Sequence, residues 1–124
     1  MTQPLALLMY ERPLPGSQLL HRLQDMGYRV ATAPAPEALV DTCRRDKPIL
    51  LIAEIPQRAD RVCAALLLLH EAEDTSHIPV IAVVPSDSAD AEQAARRTGA
   101  KLVVQDSVIL AHLPQFLEQA LQVD

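Results

Sequence analysis

Residues 48–54, Pro-Ile-Leu-Leu-Ile-Ala-Glu, constrain this chain more than any other segment, because an unbroken apolar run ends abruptly on a carboxylate. The run is too short for an ordinary helix. Its apolar character at every position, without alternation, requires a strand buried on both faces. Strands of that kind occur in parallel sheets covered by helices, so this segment alone points to an α/β architecture. In such a sheet the carboxyl ends of the strands form the edge where sites are built, and Glu54 is delivered to that edge.

The rest of the sequence alternates apolar runs with amphipathic stretches five times, as a sheet with helices on both faces requires. Leu5 to Met9 reads as the first strand. Pro13, Pro15 and Gly16 are expected to break the chain before a helix capped by Ser17, with Leu19, Leu20 and Leu23 on its inner face and Gly27 at its end. Tyr28 to Ala31 is the second strand. Pro36 suits the first turn of a second helix, whose apolar stripe begins at Ala38, Leu39 and Val40 and which ends at Lys47-Pro48. Ile49 to Ala53 is the third strand, followed by a helix over about 59–72 that turns Val62, Leu66 and Leu69 inward. Val80 to Val84 is a fourth, β-branched strand. Ser86 or Ser88 caps the next helix and Gly99 ends it; Lys101 to Val104 follows as the fifth strand. Pro114 opens a last helix carrying Phe116, Leu117, Ala120 and Leu121.

A chain of 124 residues, 49% of them hydrophobic, can bury one ordinary core, so residues 1–124 are expected to form a single domain. The net charge of -5 argues against nonspecific attraction to nucleic acid or to an anionic membrane, which needs a basic patch. Cys43 and Cys63 lie in two different predicted helices without zinc-ligand spacing and read as reduced thiols, which fits a cytoplasmic location. No signal-peptide pattern opens the sequence, and the aliphatic run Ala64 to Leu69 is far too short to span a bilayer. His21, His70, His77 and His112 are dispersed over different elements, so no metal site is expected. Ser17, Ser86, Ser88 and Ser107 lie in no nucleophile-elbow motif, and Gly16, Gly27 and Gly99 occur singly rather than in a phosphate-cradling loop. No catalytic residue and no cofactor are expected.

Several landmarks resemble those of the response-regulator receiver domain, in the family's order. They are Gly27-Tyr28 before the second strand, Glu37-Ala38-Leu39 at the second helix, Pro48 before the third strand, Ser76-His77-Ile78-Pro79-Val80-Ile81 at the fourth and Gly99-Ala100 before the fifth. The resemblance covers nearly the whole chain. It implies a flavodoxin-like, three-layer α/β/α fold with strand order 2-1-3-4-5. It also implies a reaction: an acidic pair after the first strand holds Mg²⁺, an aspartate after the third accepts phosphate, and a hydroxyl and a lysine beyond it read and stabilise the phosphoryl group. In this sequence those positions carry Tyr10 and Glu11, then Glu54, Val84 and Asp106. Valine cannot donate a hydrogen bond, and an aspartate in place of the lysine turns attraction into repulsion worth roughly several kcal/mol for a partly buried pair. Val103 stands at the aromatic switch position of the fifth strand.

The reading is therefore a pseudo-receiver: a phosphorylation-independent protein–protein interaction module of intracellular signal transduction, not an enzyme. Glu54 reads as a solvated carboxylate paired with Arg12 or Arg58, in preference to a constitutive mimic of phosphoaspartate. Leu67 and Leu68 fall on the polar side of the third helix and form one candidate interface; Arg96, Arg97, Lys101 and Val103, on the surface that receivers use for dimerisation or output, form another. A protein partner is implied, either a signalling protein or a second copy in a homodimer, with neither nucleic acid nor membrane. The competing readings are a phosphoacceptor with an altered site and a small-ligand sensor using the pocket at the carboxyl ends of the strands.

Overall fold

The computed structural model describes residues 4–10, 13–33, 35–55 and 60–121. Strands β1 (Leu5–Met9), β2 (Arg29–Thr32), β3 (Leu50–Glu54), β4 (Val80–Val84) and β5 (Leu102–Gln105) alternate with helices α1 (Pro13–Asp25), α2 (Leu39–Asp46), α3 (Asp60–Glu71), α4 (Ala89–Arg97) and α5 (Leu113–Ala120). A short 3-10 turn, Pro36–Ala38, leads into α2. All strand pairs are parallel, in the order β2-β1-β3-β4-β5. The expected flavodoxin-like topology is the observed one.

The period-2 geometry of the strands divides the core into two halves. Leu51 and Ala53 of β3 join Leu7, Leu39, Leu66 and Ala82 on one face, while Leu50 and Ile52 join Leu8, Leu23, Ile81, Ile109 and Leu113 on the other. Every residue of β3 and β4 is buried, as uniform apolar runs demand. Fully burying one leucine or isoleucine side chain stabilises the fold by about 1.5–3 kcal/mol, so the two central strands anchor it.

The element boundaries differ from the sequence expectation in an instructive way. Helix α1 begins at Pro13 rather than at Ser17, so Pro13, Pro15 and Gly16 lie inside it. The first turn of a helix has unpaired N–H groups in any case, so proline there removes no bond. Strands β2, β3 and β5 each start and finish one residue later than expected. Backbone pairing, not side-chain hydrophobicity, sets those ends: Glu54 is in register with Val83, and the Ile55 N–H continues the ladder to the Val83 carbonyl at 2.8 Å. Ile49 precedes the ladder and is 40% exposed. Of the two candidate caps for α4, Ser88 serves: its hydroxyl accepts the Ala91 N–H at 3.1 Å.

Gly27 (φ 91) and Gly99 (φ 82) end α1 and α4 in the left-handed region. Around Gly27 there is open space, whereas a Cβ on Gly99 would lie 2.6 Å from the His70 ring. Gly27→Ala should therefore cost only the backbone strain, about 1–2 kcal/mol, and Gly99→Ala measurably more in a urea melt, with part of the excess recovered by adding His70→Ala. Equal costs would show that the imidazole does not need the glycine.

The Cys43 thiol is buried between α2 and the sheet, and burial first, with the Asp46 carboxylate second, pushes its pKa from 9.0 up to about 11. The folded protein therefore holds this proton where the unfolded chain releases it. Stability linked to Cys43 is intact below about pH 9 and declines as pH rises towards about 11. At pH 8 the native protein should resist alkylation at Cys43, and rapid native-state modification there would contradict this burial.

Candidate functional site

The carboxyl edge of the sheet carries the candidate site. Glu54 is the last residue of β3 and is only 6% exposed, so the solvated carboxylate expected from the sequence is not what the fold produces. The reason is the longer strand: with Glu54 still in the ladder, its side chain is enclosed by elements packed on the sheet. A small cavity of about 150 Å³ adjoins it, lined by Met9, Tyr10, Ala33, Ala35, Pro36, Arg61 and Val62 as well as Glu54. Glu11, Arg12 and Arg58 lie outside the described residues, and with them the expected pairing of Glu54 to either arginine.

Arg61, from the first turn of α3, contributes a cation to this cavity wall. Its guanidinium bonds both carboxylate oxygens of Glu37 on the 3-10 turn, with Nε at 3.0 Å from Oε2 and a second, bidentate contact from Nη2 to Oε1. That hydrogen bonding holds the Glu37 carboxyl below its usual range. The pair is exposed and ties the segment before α2 to α3 beside the Glu54 cavity.

On the other side, Val84 closes β4 and is 2% exposed, and the Asp106 N–H donates to the Val84 carbonyl at 2.8 Å. Asp106 follows β5 directly. Its Oδ1 accepts the Ser86 hydroxyl at 2.8 Å, and Ser107 Oγ lies 2.8 Å from Ser86 Oγ. Ser86 has one hydroxyl hydrogen and the carboxylate can only accept, so Ser107 supplies the hydrogen of the second contact. Two loops are thereby joined by a serine–serine–aspartate relay. The Ser86 hydrogen is directed at the Asp106 carboxylate and the Ser107 hydrogen at Ser86 Oγ.

The structure thus brings Tyr10 and Glu54 to one cavity and sets Val84 and Asp106 at the neighbouring strand ends. Among the described residues no three His, Cys, Asp or Glu side chains cluster as a metal site. Ser86, Ser107, Glu37 and Arg61 take part without having been expected to. The serines read as cap or turn residues because the loops that join them are 21 positions apart, and the Arg61–Glu37 contact spans 24.

The two candidate interfaces lie on different elements. Leu67 and Leu68 are exposed, 41% and 58%, while Val62, Leu66 and Leu69 are buried. Arg96 bonds Glu92 at 2.9 Å one turn earlier, and Lys101 sits before β5, at the amino edge of the sheet. Arg97 is exposed, and Val103 is half-buried against the core rather than displayed.

No family model matches the sequence, and no curated protein matches it. Solved structures do match in shape over nearly the whole chain. A putative response regulator from Chloroflexus aurantiacus superposes with a TM-score of 0.84 at 16% identity, covering 97% of this chain and 98% of its own. The receiver domain of a sensor histidine kinase from Pseudomonas aeruginosa, with a magnesium ion coordinated in its active-site cleft, gives 0.83 at 16% identity over 97% and 98%. A chemotaxis protein from Vibrio cholerae gives 0.80 at 15% identity over 96% and 99%. The protein has the fold of the response-regulator receiver domains.

A double-mutant cycle tests the relay. Ser86→Ala and Asp106→Ala, measured singly and together by urea unfolding, should show a coupling of about 0.5–1.5 kcal/mol. Strict additivity would mean that the Ser86–Asp106 bond adds nothing to stability.

Proposed function

We propose that this protein is a pseudo-receiver: a signalling module that works by binding another protein and whose surface is not switched by phosphorylation. The observation that carries the reading is the Asp106–Ser86–Ser107 relay, because it puts an anion and its bound hydroxyls where a receiver needs a lysine and a free hydroxyl donor. Val84, buried and without a donor, removes the second reader of a phosphoryl group. Glu54 supports the same reading. A buried carboxylate beside the Arg61–Glu37 pair is a built part of the fold.

The binding surface that fits this function best is the outer side of α3. Two adjacent leucines exposed on a helix whose inner face is already buried contribute nothing to the core, and desolvating them against a partner is favourable by about 25 cal/mol per Å². Signalling, the absence of catalysis and a location inside the cell follow together from this reading. Among the described residues no helix is long and apolar enough to cross a membrane.

Two measurements test it. Incubation with Mg²⁺ and acetyl phosphate should leave the intact mass unchanged, and Glu54→Gln should leave partner binding unchanged. A stable phosphoryl adduct would favour a phosphoacceptor with an altered site, and loss of binding in Glu54→Gln would favour constitutive mimicry. Leu67→Asp with Leu68→Asp should abolish partner binding, or self-association if the partner is a second copy, at a stability cost below about 0.5 kcal/mol.

A further inference from the structure

Helices α2 and α3 are clamped side by side at both ends. Near their starts the Arg61 guanidinium bonds the Glu37 carboxylate, with Nε at 3.0 Å from Oε2, and at their far ends Arg44 Nε bonds Asp74 Oδ2 at 2.7 Å. Arg45, the remaining arginine of the two helices, bonds Asp46 at 3.0 Å. Each arginine of α2 and α3 is therefore already paired with a carboxylate. Lys47 lies past the second clamp, in the left-handed cap of α2, and the His70 ring is turned towards Gly99 on the α4 side.

Two carboxylates are left over. Glu71 follows Leu67 by four residues and Leu68 by three, and Ala64 precedes them by three and four, so these residues form one exposed stripe on the outer side of α3. Asp41 lies four residues after Glu37 and three before Arg44, on the side of α2 that both clamps turn towards α3. Asp41 and Glu71 are both exposed, and neither side chain is ion-paired among the described residues. The apolar centre at Leu67 and Leu68 thus has a negative rim whose neighbouring arginines are engaged elsewhere.

A second copy of the chain does not suit this pattern. A two-fold contact sets a patch against itself, which here would bring Asp41 and Glu71 against the same carboxylates of the other copy, in a chain of net charge -5. Like charges opposed across an interface reject a partner rather than select it.

We propose that the α2–α3 surface docks a basic amphipathic helix of a partner protein, whose apolar side covers Leu67 and Leu68 and whose lysines or arginines meet Asp41 and Glu71. This rests on the reading of α3 as the binding surface and adds the partner's chemistry to it. The leucines supply the contact area, and the two carboxylates select the partner and fix its orientation.

The test compares two amphipathic peptides of identical helical spacing, one of leucine and lysine and one of leucine and glutamine, each titrated into the full chain and followed by amide chemical shifts. The lysine peptide should give saturable shifts at Asp41, Ala64, Leu67, Leu68 and Glu71 and bind at least about fivefold more tightly than the glutamine peptide. Asp41→Asn with Glu71→Gln should remove most of that preference. Asp25→Asn with Glu118→Gln, the same change of charge at exposed positions of α1 and α5, should leave it intact. Equal affinity for the two peptides, or equal losses in the two double variants, would overturn the charge selection while leaving α3 as the surface. Shifts that avoid α3 altogether would overturn the binding-surface reading as well. A wild-type dimer in sedimentation that Leu67→Ser with Leu68→Ser dissociates would overturn the proposal in favour of a second copy.

Discussion

Burial of β3 and β4 on both faces is the constraint on which the rest of the structure depends. Because neither strand has a solvent side, each needs an apolar residue at every position and a helical layer above and below. The parallel connections that supply those layers bring the carboxyl ends of all five strands to one edge, and so set Glu54, Val84 and Asp106 at neighbouring strand ends.

What occupies the edge follows a consistent electrostatic logic. A receiver gathers anions around a cation and keeps a lysine for the charge that arrives with phosphate. At the corresponding positions this protein has a buried glutamate, a buried valine and an aspartate satisfied by a serine relay. Ser86, Ser107 and Asp106 make internal contacts there that join neighbouring loops. Exposed leucines on α3 then offer a surface whose availability does not depend on that edge.

Much of this was legible in the sequence, because the signals were of the right physical kind. Uniform apolar runs gave β1, β3 and β4, and helical spacing gave the inward set Val62, Leu66 and Leu69 and the outward pair Leu67 and Leu68. Pro114 marked the start of α5. Strand ends were displaced by one residue because hydrogen-bond ladders continue past the apolar run, and that single residue is what buries Glu54. The start of α1 was hidden because prolines at a helix entrance look like breakers. Contacts between distant loops, Ser86 with Asp106 and Arg61 with Glu37, leave no local pattern at all.

The central claim is that the carboxyl edge of the sheet no longer accepts a phosphoryl group, and the most direct measurement is a titration with Mg²⁺ and beryllofluoride, a mimic of phosphoaspartate, monitored by amide chemical shifts. The account predicts no saturable change at Glu54, Val84, Ser86 or Asp106. Saturable shifts at these four residues, spreading along β4 and β5, would contradict it.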